Sequence, residues 1–152
     1  MVRFKNRWIL VELLPTTEGK QTPPINGKQI WNALKQSLIT NFGDTGWGAV
    51  GLSLTVKYYS PTTNMAIIRV GREHHRTAWA ALTLLSSIEG FTFVPNVIHV
   101  SGTIKHAQMA AVEHNRIVVA RYRALAQTPA GYRDSYDAYL DKSTAEIESL
   151  QD

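Results

Sequence analysis

The sequence predicts an α+β domain built on an antiparallel sheet. Three observations carry that expectation. Apolar runs of strand length alternate with stretches of helical periodicity, turn-forming residues stand at the boundaries, and 44% of the 152 residues are hydrophobic, enough for one core. The opening MVRFKNRWILVEL reads as a strand. Alternation puts Arg3, Lys5 and Arg7 on one face and Val2, Phe4 and Trp8 on the other. From Trp8 to Val11 both faces turn apolar, as in a strand entering a two-sided interior.

The polar segment TTEGKQTPP, with two prolines, predicts a loop. Asn26 and Gln29 have capping-box spacing and open a helix with the stripe Ile30, Leu34 and Leu38, joined by Trp31 and Phe42. NFGDTG ends it. GLSLTVKYY then alternates, with Leu52, Leu54, Val56 and Tyr58 facing one way and Ser53, Thr55 and Lys57 the other. SPTTN turns the chain back into NMAIIRVGR, the second arm of a hairpin. EHHRTAWAALTLLSSIEG predicts a helix with Ala78, Ala81, Leu82, Leu85 and Ile88 inward, stopped at Gly90. FTFVPNVIHVSGT is expected to be a fourth strand, broken at Pro95. KHAQMAAVEHNRIVVARYRALAQ is a long third helix with Ala107, Ala111, Val118, Tyr122 and Leu125 toward the core.

The order β-α-β-β-α-β, followed by α, is that of a ferredoxin-like or RRM-like α-β sandwich, with the helices on one face of the sheet. Residues 1–127 make this domain. Beyond a hinge at TPAG, residues 128–152 form an acidic, amphipathic, helical tail with Tyr132, Tyr136, Tyr139, Leu140, Ile147 and Leu150 on one side. Ser143 and Glu146 repeat the capping-box spacing inside it and mark a candidate break. The tail either covers the chain's own open sheet or docks a partner.

Charge is distributed unevenly. Residues 1–123 carry 14 Lys/Arg against 6 Asp/Glu, whereas residues 124–152 carry 2 against 6. A basic body points to a polyanionic partner, although basic residues also serve solubility. With no cysteine, disulfide and thiolate chemistry are excluded, and no run approaches the roughly 18 apolar residues of a membrane span. No signal-peptide pattern opens the chain, so a soluble intracellular protein is expected.

An RRM binds RNA by stacking bases on aromatics of its central strands, but MAIIRVGR has none. RNA would therefore be held through backbone charge and shape. On the third helix Lys105, Arg116 and Arg123 share one side of the wheel. Ahead of it, Ser101-Gly102-Thr103 offers a glycine and a helix N-terminus, where an anion would offset the cation Lys105. The alternative is that Thr103 merely caps the helix. Arg72 and Arg76 flank the second helix start in the same way, with Glu73–Arg76 pairing as the alternative. Of the five histidines, His74 and His75 diverge on a helix, and His106 and His114 lie roughly 12 Å apart along its axis. With no HExxH, Walker loop or GxSxG, no catalytic residue and no protein-bound metal is expected.

MVRFKNRWILVEL, GLSLTVKYYSPTTNMAIIRVGREHHRTAWAAL and HVSGTIKHAQMAAVEHNR together closely resemble the Pop-five family, a protein subunit of ribonuclease P and ribonuclease MRP. The resemblance covers most of residues 1–123 and is most specific in the opening run and in HVSGTIK. It implies a non-catalytic, RRM-like subunit in the nucleus and nucleolus. The catalytic RNA, with magnesium ions, would remove the 5′ leader of precursor tRNA, and the related particle would process ribosomal RNA. The implied partners are that RNA, a TIM-barrel-like subunit of the Rpp-thirty type and, indirectly, precursor tRNA. Arg3, Lys5 and Arg7, together with Arg72, Arg76, Gly102, Thr103, Lys105, Arg116 and Arg123, are the expected RNA contacts. A generic ferredoxin-like RNA- or protein-binding module is the alternative, with a small acylphosphatase-like hydrolase behind it; the N-terminal phosphate loop of such an enzyme is missing from this sequence.

Overall fold

The computed structural model describes residues 5–16, 25–125 and 136–151. The elements in order are β1 (Asn6–Pro15), α1 (Gly27–Val50), β2 (Thr55–Ser60), β3 (Met65–Gly71), α2 (His75–Thr83), β4 (Ser87–Ile88), β5 (Phe91–Ser101), α3 (Ile104–Leu125) and α4 (Tyr136–Glu148). A 3₁₀ turn, Arg72–His74, leads into α2. The strands make a five-stranded sheet in the order β2-β3-β1-β5-β4, every neighbouring pair antiparallel. Val2, Arg3 and Phe4, the loop over residues 17–24, the TPAG hinge with the boundary at 127/128, Tyr132 and the Leu125 side chain lie outside the described residues.

β1 is the central strand. Ile9, Val11 and Leu13 face one way and pack against Ile30, Leu34 and Leu38 of α1 and Ala78, Ala81 and Leu82 of α2. Trp8 and Leu10, with Met65 and Ile67 of β3, face the other way, beneath Ala107 and Ala111 of α3 and Ile147 of α4. The sheet therefore carries helices on both faces, which corrects the one-sided sandwich expected from the element order. The physical reason is the continuous apolar run of β1, which needs cover on each side. Alanines at 107 and 111 let α3 lie close to the sheet.

Local departures have local causes. Asn26 and Gln29 form the expected capping box, and Gly43, at φ 68°, breaks the helix within NFGDTG before residues 44–50 run on as a second helical piece. Leu52 is not in a strand: the amides of Ser53 and Leu54 bond back to Val50 O, so the chain turns there. An irregularity between Val56 and Tyr58 then sends Tyr58 to the α3–α4 side. α2 ends at Thr83, and Ile88 reaches the core from β4 instead. Glu89 and Gly90, both at positive φ, make the tight turn into β5. β5 is continuous through Pro95, which keeps its place opposite Leu13; the irregularity falls at Ile98, opposite Leu10/Val11.

α4 runs through Ser143 without a break. The serine is 2% exposed, and its Oγ accepts from Asn115 Nδ2 (2.9 Å) and shares a 2.5 Å hydrogen bond with Tyr58 OH. Thr63 Oγ1 donates to Asn115 Oδ1 (2.9 Å), and Tyr139 OH joins both Thr63 and Ser60. Burial pushes the Tyr58 hydroxyl up to about 12, so it stays protonated within this seam. Gln108 Nε2 donates to Ile147 O (3.0 Å) and Leu150 O (2.9 Å), closing the helix end. The described part of the tail thus covers the chain's own sheet.

One buried charge cluster ties α3 to β1. Glu12, 4% exposed, lies 3.1 Å from His114 Nε2 and 3.3 Å from Arg121 Nη1. Burial alone would raise the Glu12 pKa, but His114 and Arg121 together outweigh it and hold the carboxyl below 4.5. Stability from this cluster is complete above the ordinary carboxylate range and is lost as pH falls from 4.5 through the depressed value. In acid unfolding curves followed by circular dichroism, Glu12→Gln should therefore flatten the loss below pH 4.5 relative to the unmodified chain.

The two helix layers should be equally integral. Leu34→Ala on the α1 side and Ile67→Ala on the α3–α4 side are each expected to cost about 2–5 kcal/mol in urea unfolding. A loosely attached α3–α4 layer would instead let Ile67→Ala pass with less than about 1 kcal/mol.

Candidate nucleic-acid interface

Because β1 runs antiparallel to β3 and β5, its start meets the ends of both: Asn6 stands opposite Gly71 and Trp8 opposite Ser101. At those two points β3 and β5 hand the chain on to the 3₁₀ turn before α2 and to α3. Residues 5–7, 71–72 and 101–105, far apart in sequence, therefore share one end of the sheet.

Backbone pairing continues past the register, with Arg72 N–H donating to Lys5 O at 2.9 Å. Lys5 is exposed, and Arg72 is partly so, its guanidinium 3.3 Å from the exposed carboxylate of Glu73. Arg7 Nη1 donates to Asn6 O (3.2 Å) and lies over Gly102, where a Cβ would come within 3.2 Å of it. The bare glycine thus admits the Arg7 guanidinium. Thr103 caps α3: its Oγ1 accepts from His106 N (3.3 Å), while Ser101 Oγ accepts from Thr103 N (3.1 Å). Lys105 stands exposed in the first turn, a cation at the positive end of the helix dipole.

The remaining expected contacts are elsewhere. Arg76 lies on α2 beside Trp79 and Leu84. Arg116 shares a groove of about 700 Å³ with Lys105 and Met109, where Glu113 and Glu148 bring opposite charge. Arg123 pairs with Asp137 of α4 at 2.7 Å, so this cation holds the tail. Arg3 lies outside the described residues. Sequence reasoning missed Arg69, which lines a cleft with Lys5 and Arg72; a charge inside the apolar run MAIIRVG was its signal. It also missed Leu52 at the same cleft, which nothing in the sequence marks as exposed.

The α3–α4 face of the central strands is closed to bases, with Trp8, Leu10, Met65 and Ile67 each at most 1% exposed. His114 and Glu12 are an acid–base pair in type only, sealed at 7% and 4% exposure. His75 Nδ1 donates to Arg72 O (2.7 Å) and orders the turn. Among the described residues no three His, Asp or Glu side chains converge as metal ligands, and no helix is long and apolar enough to cross a membrane. What the sheet end offers chemically is a set of cations carried on paired backbone, suited to polyanion binding.

Comparison with known proteins gives a consistent answer. Residues 7–112 match the model of the Rpp14/Pop5 family. The ribonuclease P/MRP protein subunit POP5 of Schizosaccharomyces pombe is 45% identical over 125 residues, spanning 76% of this chain and 89% of that protein. The probable ribonuclease P/MRP protein subunit POP5 of Arabidopsis thaliana is 36% identical over 118 residues, spanning 74% of this chain and 78% of that protein. Among solved structures, a chain of yeast ribonuclease MRP superposes with a TM-score of 0.56 at 13% identity, covering 97% of this chain and 95% of that one, a likeness of fold. The chain is therefore a member of the Rpp14/Pop5 family.

Proposed function

We propose that this protein is a non-catalytic, RNA-binding subunit of the ribonuclease P and ribonuclease MRP ribonucleoproteins, acting in the nucleus and nucleolus. The names of its relatives point to those particles. The observation that carries the binding mode is the gathering of Lys5, Arg7 and Arg72 at one end of the sheet, with Lys105 in the first turn of the helix that leaves that end. Such a surface neutralises phosphates and braces a folded RNA without reading its bases. Catalysis, and the magnesium ions that serve it, belong in this reading to the RNA. A ferredoxin-like topology, a TIM-barrel-like protein partner of the Rpp-thirty type and indirect contact with precursor tRNA complete the proposal. Arg76 and Arg116, on separate surfaces, are second-rank RNA contacts.

Each phosphate contact contributes roughly −0.7 to −0.9 to the log–log salt dependence of binding. Lys5→Ala/Lys105→Ala should therefore lower affinity for the catalytic RNA and reduce the slope by about 1.4–1.8, with folding intact because exposed charges add little stability. Unchanged affinity and slope in titrations from 50 to about 200 mM salt would remove these cations from the interface.

The purified protein alone should leave precursor tRNA uncleaved at any magnesium concentration. Cleavage that disappears in His74→Ala or His106→Ala, both exposed positions whose loss leaves the core alone, would overturn the non-catalytic reading.

A further inference from the structure

Beside the cationic end lies a cleft of about 780 Å³ whose lining combines three cations, one carboxylate (Glu73, 3.3 Å from Arg72), polar groups and apolar surface, with a net positive balance. Lys5, Arg69 and Arg72 supply positive charge; Leu52 and Ala49 supply apolar surface. Leu52 is 101% exposed, a large aliphatic side chain held entirely in water. Its loop is not slack. Ser53 Oγ accepts from Gly71 N (3.0 Å) and donates to Val50 O (3.1 Å), and the amides of Ser53 and Leu54 also bond to Val50 O at 3.1 Å. A Cβ on Gly71 would come within 3.2 Å of Ser53 Oγ, so the loop sits tightly against the end of β3. The backbone that carries Leu52 is thereby fixed at the same end of the sheet as the cations.

A phosphate backbone alone would use the cations and leave the leucine in water. A ligand with an anionic part and a flat apolar part uses both, and the cleft falls within the usual range for small organic ligands. Single-stranded loops and bulges of RNA present such a ligand, an unstacked base flanked by phosphates. We propose that this cleft takes one unpaired nucleotide, its base against Leu52 and Ala49 and its flanking phosphates on Lys5, Arg69 and Arg72. The assignment rests on the RNA-binding reading above and adds to it a preference for an interrupted helix over a continuous one.

The test uses the full chain and three RNA hairpins of equal stem length, titrated by fluorescence anisotropy. One is fully paired, one carries a single-nucleotide bulge, and one carries an abasic bulge. The bulged hairpin should bind about fivefold more tightly than the paired one, a modest gain because the base is laid against aliphatic surface and not an aromatic ring. The abasic bulge should lose that preference. Leu52→Ala, at a wholly exposed position, should lose it too while keeping the affinity for the paired hairpin and its salt slope. Equal binding of paired and bulged hairpins would overturn the nucleotide site and leave the phosphate reading standing. A preference that survives Leu52→Ala would also overturn it. Absence of salt-dependent binding to all three hairpins would overturn both readings at once.

Discussion

The structure depends on β1 being buried on both faces and paired on both edges. Ile9, Leu10 and Val11 have at most 1% of their surface in water, and β3 and β5 take up the strand's two rows of backbone groups. A strand in that position cannot shift by one residue, because each side chain would exchange one core for the other. Register then fixes everything at its ends. The cationic end exists because Lys5 precedes β1 and Arg7 stands near its start, and the pairing of that strand is set by residues 8–14. A rigid interior holds the charges of the surface in place.

The two helix layers are attached by different chemistry. α1 and α2 meet the sheet through aliphatic and aromatic side chains. α4 adds a seam of hydroxyls and one amide, Tyr58, Ser60, Thr63, Asn115, Tyr139 and Ser143, in which each group has a partner. Buried polar groups of this kind are costly if left unmade, so they define one seating for the helix where apolar contact alone would tolerate several.

Much of this was legible in the sequence. The capping box at Asn26, the stripe Ile30–Leu34–Leu38 and the inward residues Ala78, Ala81 and Leu82 follow from local periodicity, and they appear in place. Residues whose fate is decided by distant contacts were harder to read. Leu52 belongs to an alternating pattern, yet hydrogen bonds to Val50 and Gly71 turn it out of the sheet. Ile88 keeps its buried position but reaches it from a strand, because Glu89 and Gly90 form a hairpin turn. The site shows the same division. Charge and glycine spacing marked Lys5, Arg7, Arg72, Gly102 and Lys105, but their meeting is a product of strand order. The pairing of Arg123 with Asp137 is likewise a matter of how the tail folds back.

The central place of the first strand also bears on how the chain is made. Trp8 pairs with Ser101 and Glu12 with Met65, so β1 is translated long before either neighbour exists. At about 5–20 residues per second, the run WILVELL waits for several seconds with both faces and both edges open. Pairings so distant in sequence close slowly even once the partners arrive. The segment that becomes the most protected part of the protein is thus its most vulnerable during synthesis.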